Sequence, residues 1–345
     1  MKKFLTLILL TGAGAYGQAC DRACLETFVD LYIEALIAHD PAKVPLSPRV
    51  KNTEDGVRLN PGDGFWRSAK GKGSYRLFVT DTETGQVAFI GTMREDPALA
   101  VIIALRLKVQ NRQITEIENM VVRDANQATR LENRGRPDQL FLDALPATQR
   151  ASRADLIRVA NLYYLGVQRN DGKGTYPVAP DCERVQNGIQ TTHNPNALAE
   201  FNPPPAPGRG GAKGKQAPPP PPPPAAVVEL LSKGCLEQFR SGYWNYVTRV
   251  RDRRFVAVDR ERGIVLAIAS FDEPAGKYRT FKMANGVEIT AGPARPETLQ
   301  VFEAFKIEAG NIRRVEAAQL TVPYGMISGW SSYEDGMSSR AQDVR

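Results

Sequence analysis

Apolar residues recur at i, i+3, i+4 and i+7 from Leu25 through Phe28, Val29, Tyr32, Ile33, Leu36 and Ile37. That spacing predicts an amphipathic helix, and Asp40-Pro41 stops it. The period then shortens to two. Tyr75–Gly91 reads as a hairpin, followed by strands over Ala98–Val109 and Ile114–Val122 with a polar turn at Gln110–Gln113 between them. Helical spacing returns after a capping-box-like Ser152-Arg153-Ala154-Asp155, with Leu156, Val159, Ala160, Tyr163, Tyr164 and Val167 on one face and Asn170-Asp171-Gly172 at the end. A further helix is predicted over Val227–Phe239. A second hairpin follows over Arg249–Asp272, and strands over Leu299–Ala309 and Ile312–Leu320 close the chain's second half.

The two halves say the same thing. Asp81-x3-Gly85 and Asp259-x3-Gly263 mark the two hairpin turns at equal spacing. Gly64-Phe65-Trp66 answers Gly242-Tyr243-Trp244, Asp55-Gly56 answers Asn187-Gly188, and Leu107-Lys108-Val109 answers Phe305-Lys306-Ile307. Blocks in the same order predict a duplication. The second hairpin is the more basic: Arg249, Arg251, Arg253 and Arg254 have only Arg76 as a counterpart, which marks them as carriers of any specialised role. The expected organisation is a leader at 1–19, a first domain at 20–124, a linker at 125–150, a second domain at 151–330 and a flexible tail at 331–345. Residues 201–226 form a proline-rich insertion in the second domain. Eleven prolines between Pro203 and Pro224, seven of them consecutive, bar helix and strand there.

Composition changes this picture little. The 345 residues, 42% apolar and 24% charged, suit two globular domains. Lys2, Lys3, the apolar run Phe4–Leu10 and the small residues after it read as a secretory leader, so a secreted or periplasmic location is expected. No stretch reaches the ~20 apolar residues of a membrane span. The formal charge of +7, about +5 without the leader, is too mild to indicate nucleic acid. Four cysteines allow three pairings; Cys182–Cys235 is expected, with Cys20–Cys24 as a local pair. No Cys-x2-Cys occurs and only His39 and His193 are present, so no metal centre is expected. The absence of a Walker loop or dinucleotide fingerprint argues against a nucleotide cofactor, and none is expected.

The blocks His39-Asp40-Pro41, Asn52–Gly56, Gly62–Trp66, Arg106–Val109, Asp181–Arg184, Arg253–Phe255 and Pro323–Trp330 resemble a family of exported microbial proteins in the SnoaL-like, nuclear-transport-factor-like superfamily. The resemblance covers most of residues 24–124 and 151–330. It implies an α+β, cystatin-type fold: two tandem cone-shaped domains, each with N-terminal helices packed on a curved antiparallel sheet and a cavity at the open end. Such cavities host isomerases, dehydratases, hydrolases and non-catalytic binders in that superfamily, so fold alone does not choose between them.

Strand alternation nominates the groups that face a pocket. Arg106 and Lys108 share one face, and Lys306 repeats the question in the second half; that face either lines a cavity for an anionic or carbonyl-bearing ligand or meets water. Asp181, Glu183, Arg184 and Asn187 lie beside an expected disulfide. Asp181 reads either as a general base or, with Asn187, as a loop-holding hydrogen-bond acceptor. His193 is a second candidate base and otherwise an exposed loop residue. Tyr163, Arg184 and Arg254 would be electrophilic helpers. Trp66 and Trp244 read as ligand-stacking walls or as core. Sheet faces offer surfaces for self-association. Because no acid/base pair stands out, small-molecule binding or a scaffold role is placed ahead of a cofactor-independent lyase, isomerase or hydrolase acting on a small hydrophobic or carbohydrate-like substrate.

Overall fold

The computed structural model describes residues 20–97, 99–201 and 225–345. The leader and all but the ends of the proline-rich insertion lie outside the described residues. The first unit runs α1 (Arg22–Ile37), β1 (Leu46–Glu54), β2 (Val57–Arg58), β3 (Gly71–Asp81), β4 (Gln86–Asp96), β5 (Leu99–Gln110) and β6 (Gln113–Val122). Helices α2 (Ala125–Asn133) and α3 (Gln139–Leu142) follow. The second unit opens with α4 (Arg153–Arg169), β7 (Val178–Gln186) and β8 (Ile189–Gln190), then α5 (Ala197–Phe201), α6 (Ala225–Leu231) and α7 (Cys235–Arg240). It continues through β9 (Arg249–Asp259), β10 (Ile264–Glu273), a small hairpin of β11 (Thr280–Lys282) and β12 (Glu288–Thr290), β13 (Glu297–Glu308) and β14 (Asn311–Pro323). The chain ends with α8 (Tyr333–Gly336) and β15 (Ala341–Asp343).

The duplication is structural. One sheet is ordered β2-β1-β6-β5-β4-β3 and the other β15-β9-β10-β13-β14-β7-β8. Each is built on an antiparallel meander, as expected. Each also carries a strand from the loop-rich region that joins the meander's last strand in parallel, β1 on β6 and β7 on β14. The sheets are therefore mixed, not antiparallel. Register shifts place extra residues in β3, β9 and β14, where they bend the strands. The hairpin turns need their glycines. Gly85 and Gly263 adopt φ of 68° and 62°, and a Cβ on either would stand 2.7 or 2.5 Å from the carbonyl oxygen of Val109 or Ile307.

One face of the first sheet buries α1, with Leu25, Val29, Ile33 and Leu36 against Phe89, Ile103 and Leu105. The second sheet buries α4 in the same way, Tyr163, Tyr164 and Val167 meeting Phe255, Val301 and Phe305. The opposite faces pack on each other, Leu77, Val79 and Ile90 against Ile264, Leu266 and Phe302. The faces read as surfaces for self-association thus cover one another within the chain. Their contacts are reciprocal, as in an isologous interface. Arg153 at the start of α4 pairs with Asp81, and Arg22 at the start of α1 pairs with Asp259 at 2.7 Å. The shared Asp of each hairpin turn is a docking point for the other unit's helix.

Three expectations about connections change. The stretch 125–150 is no bare linker: Asp124 caps α2 by accepting from Asn126 and Gln127 N–H, and Ala128, Leu131 and Phe141 enter the core between the sheets. The tail is held by pairing of β15 with β9 in parallel. Indole Nε1 of Trp330 donates to Thr53 Oγ1 at 2.8 Å, and the Arg106 guanidinium lies 4.4 Å from the Trp330 ring centre. The helix predicted over Val227–Phe239 is broken at Gly234 into α6 and α7. Both expected disulfides are present. Cys20 precedes the α1 cap Asp21 and so escapes the constraint of i, i+4 positions inside a helix.

Candidate functional site

The second unit encloses a cavity of about 210 Å³ between its sheet and helices α5, α6 and α7. That is below the ~300–1,000 Å³ of drug-sized ligand pockets. Strand alternation sets its chemistry. In β7, Cys182 and Arg184 turn inward while Asp181 and Glu183 turn outward, so Cys182 bonds Cys235 of α7 and Arg184 enters the cavity wall. The segment expected as a loop is a strand. That alone separates Arg184 from the carboxylate proposed to work with it.

Arg184 is 3% exposed and its hydrogen-bond partners are neutral. Its Nη1 donates to the Tyr163 hydroxyl at 3.3 Å and its Nη2 to Gln238 Oε1. The amide of Gln238 donates to the carbonyls of Thr191 and Lys233 at 2.8 and 3.1 Å, which fixes its oxygen toward the guanidinium. The guanidinium lies 4.5 Å from the centre of the Trp244 ring, a cation–π contact. Trp244 N–H donates to Asn170 Oδ1 at 2.8 Å, where Asn170 ends α4 in the left-handed region.

Glu303 on β13 completes this end of the cavity. It is 1% exposed, and among the described residues its Oε2 has no hydrogen-bond partner. Burial pushes its carboxyl up to about 7, opposed by Tyr164, Arg184 and Tyr163 beside it. Burial likewise lifts the Tyr163 hydroxyl to about 12. Glu303 went unnoticed among the candidates, although a column-by-column comparison of the two halves reveals it. Gln86 pairs with Lys108 where Ile264 pairs with Lys306, so Glu303 takes the place of Leu105 on an otherwise apolar face. Arg184 similarly replaces Asn52, which lies opposite Ile117 as Arg184 lies opposite Val315. In the first unit the counterparts of Tyr243 and Trp244, Phe65 and Trp66, are both buried; the tryptophan is 2% exposed and packs edge-on against Tyr32 with ring centres 5.2 Å apart. Trp66 is core, whereas Trp244 is cavity wall.

The remaining candidates lie elsewhere. Asp181 is 48% exposed and ion-paired with Arg313, whose hydrogen bond holds it below the usual carboxylate range, making it a poor base. His193 is exposed beside Gly234 and does not line the cavity. Asn187 stitches the β7–β8 turn to β14, donating to Gln319 O at 2.9 Å and accepting from Gln319 N at 2.8 Å. Arg106 and Arg254 are buried where the two sheets meet, and both bind Glu118, Arg106 across the β5–β6 ladder of its own sheet and Arg254 from the other sheet. Lys108 donates to the Arg345 carbonyl at 2.7 Å, and Lys306 to that of Arg262 at 2.6 Å. The hairpin arginines are likewise occupied. Arg249 and Arg251 bind Asp272. Arg251 also holds the Gly336 and Met326 carbonyls, and Arg253 binds Gln168 at 2.7 Å. They serve the scaffold. Among the described residues no three His, Cys, Asp or Glu side chains gather as a metal site.

The sequence model of a family described as "Domain of unknown function (DUF8021)" matches residues 18–121 and 149–319, one segment for each unit. No curated protein and no solved structure matches the chain.

Proposed function

The chain belongs to the DUF8021 family of domains of unknown function, and we propose that it is an exported binding protein for a small, largely apolar molecule carrying a carboxylate or carbonyl oxygen. The cavity of the second unit is the binding site. The observation that carries this reading is Arg184: a buried guanidinium whose hydrogen-bond partners are neutral, set in the wall of a cavity lined by aromatic rings. Tyr163 and Gln238 orient it, Trp244 supplies a stacking wall, and the first unit supports the second. The leader and the disulfides favour an oxidising compartment outside the cytoplasm. A helix seated in a bent sheet with a pocket beside it also supports kinship with the SnoaL-like cone domains.

The test is a thermal-shift and calorimetric screen of aromatic and short-chain carboxylates. Arg184→Met should weaken a hit by roughly 10- to 100-fold, since a hydrogen bond to a charged group contributes about 1.5–3 kcal/mol. Equal binding by wild type and variant would remove the cavity from consideration.

Glu303 favours a second reading, a cofactor-independent lyase, isomerase or hydrolase in which this carboxyl moves the proton. A buried carboxyl lifted to about 7 suits acid/base exchange near neutral pH. Glu303→Gln should then keep ligand affinity while abolishing turnover. The same substitution has a stability signature. The proton is held more tightly in the folded chain than at the ordinary 4.5, so the stabilisation is complete below that pH and lost as pH rises through about 7. Glu273 and Glu316, lifted by burial to about 8 and about 7, act with the same sign. The melting temperature should therefore fall from pH 5 to 8, and less steeply in Glu303→Gln; an unchanged slope would mean that Glu303 titrates normally.

A further inference from the structure

The cavity has a second pole. Glu273 ends β10 and lines the same space as Arg184 and Glu303. It sits opposite Glu297 in register, six residues along β13 from Glu303, or about 20 Å at the rise of a strand. Glu273 is 8% exposed, so more than nine-tenths of it is buried. Among the described residues, no hydrogen bond or ion pair holds its carboxyl. Its surroundings are aromatic: Tyr243, Trp244, Tyr246 and Phe271 share the lining, and the tyrosine rings lie edge to face with centres 5.8 Å apart. The phenols of Tyr243 and Tyr246 both feel its charge. In the first unit the cognate Glu95 is a different residue in practice, since Ser68 and Arg123 hydrogen-bond it.

We infer that this end of the cavity is a recognition site for a cationic amine, with the ammonium group against the Glu273 carboxylate and beside the rings of Tyr243 and Tyr246. The inference rests on the cavity being a ligand site and names the second half of what it takes. A carboxylate next to aromatic faces attracts a cation twice, by its charge and by the ring quadrupoles, and desolvation strengthens both. The empty-handed carboxyl explains itself in the same way. Burial, reinforced by Glu297, pushes it up to about 8, so at neutral pH it is mostly protonated until a cation arrives. An amine binding there must displace that proton. The groups facing it are Glu297 across the ladder, Tyr243 and Tyr246 beside it, and Glu303 and Arg184 at the far pole. None of these supplies a resident cation at Glu273.

The experiment compares three probes of one shape, 3-phenylpropylamine, 3-phenylpropionate and 3-phenylpropanol, by isothermal titration calorimetry at pH 7. Each is run on the wild type, Glu273→Gln and Arg184→Met, in two buffers of different ionisation enthalpy. The amine should bind the wild type at least 10-fold more tightly than the alcohol, with a heat that differs between buffers because a proton leaves the protein. Glu273→Gln should lose both effects and leave propionate binding intact, whereas Arg184→Met should do the reverse. Propionate binding without an amine preference, or an amine preference that survives Glu273→Gln, overturns the amine site and leaves the binding reading standing. No binding by any probe overturns both.

Discussion

Glu118→Ala should be among the most destabilising single substitutions in the chain, lowering unfolding free energy by about 3–5 kcal/mol. Glu118 is 5% exposed and sits where the sheets meet. Its carboxylate accepts from Arg254 Nη2 and Nη1 at 2.6 and 2.9 Å and from Arg106 Nε at 3.1 Å. Arg254 is 3% exposed and Arg106 fully buried. Removing the shared anion leaves two guanidiniums short of charge in a site water does not reach. Arg106 keeps Glu116 at 2.7 Å and Gln86 at 2.8 Å, and Arg254 keeps Asp252 at 3.3 Å, which caps the loss. Urea unfolding monitored by tryptophan fluorescence measures it, and a loss under about 1 kcal/mol would place the network among exposed ion pairs. The matched control replaces all three together, Glu118→Leu with Arg106→Met and Arg254→Met. It should recover much of the loss, because the cost lies in orphaned charge more than in the missing pair. If the network is what couples the units, Glu118→Ala should also split one unfolding transition into two.

Removing the Cys182–Cys235 bond should cost a similar amount and disarm the cavity as well. The bond closes a loop of 53 residues, for which the chain-entropy account gives about 4 kcal/mol. Cys20–Cys24 spans only four residues, and the same account gives about 2 kcal/mol. Cys182→Ser with Cys235→Ser should therefore melt well below Cys20→Ser with Cys24→Ser. The larger bond also ties β7 to α7, two residues before Arg184 and three before Gln238. The Arg184–Gln238 contact depends on that tie. A carboxylate probe should bind the Cys182/Cys235 variant more weakly, at a temperature where circular dichroism shows it folded. Retained affinity would show that packing of Phe239 and Tyr163, whose rings lie 5.0 Å apart, suffices to hold the site.

Much of the scaffold was legible in the residues. The helical spacing of Leu25–Ile37 and of Leu156–Val167 predicted α1 and α4. The paired Asp-x3-Gly turns predicted the two hairpins and the duplication, and the cysteine count allowed the pairing that formed. These features are local: a 3.6-residue period, a glycine that tolerates positive φ, or a bond along one chain. The candidate site was half legible. Arg184 and Trp244 line the cavity and Tyr163 backs it through its hydrogen bond with Arg184, but Asp181 and His193 do not line it. Glu303, Glu273 and Gln238 were passed over because each reads as an ordinary polar residue in its own segment.

What the sequence by itself determined is the set of elements, their order and their two-fold repetition. Alternation also divides each strand into two faces, as in Leu105/Leu107 against Arg106/Lys108. Which face becomes core, pocket or interface depends on what covers it, and the covering groups come from far along the chain. Only the packed sheets decided that Arg106 and Arg254 would close on Glu118 rather than on a ligand. Only the third dimension set Arg184, Glu303 and Glu273 around one cavity, because a strand residue's environment is made by its neighbours in space and not by those in sequence.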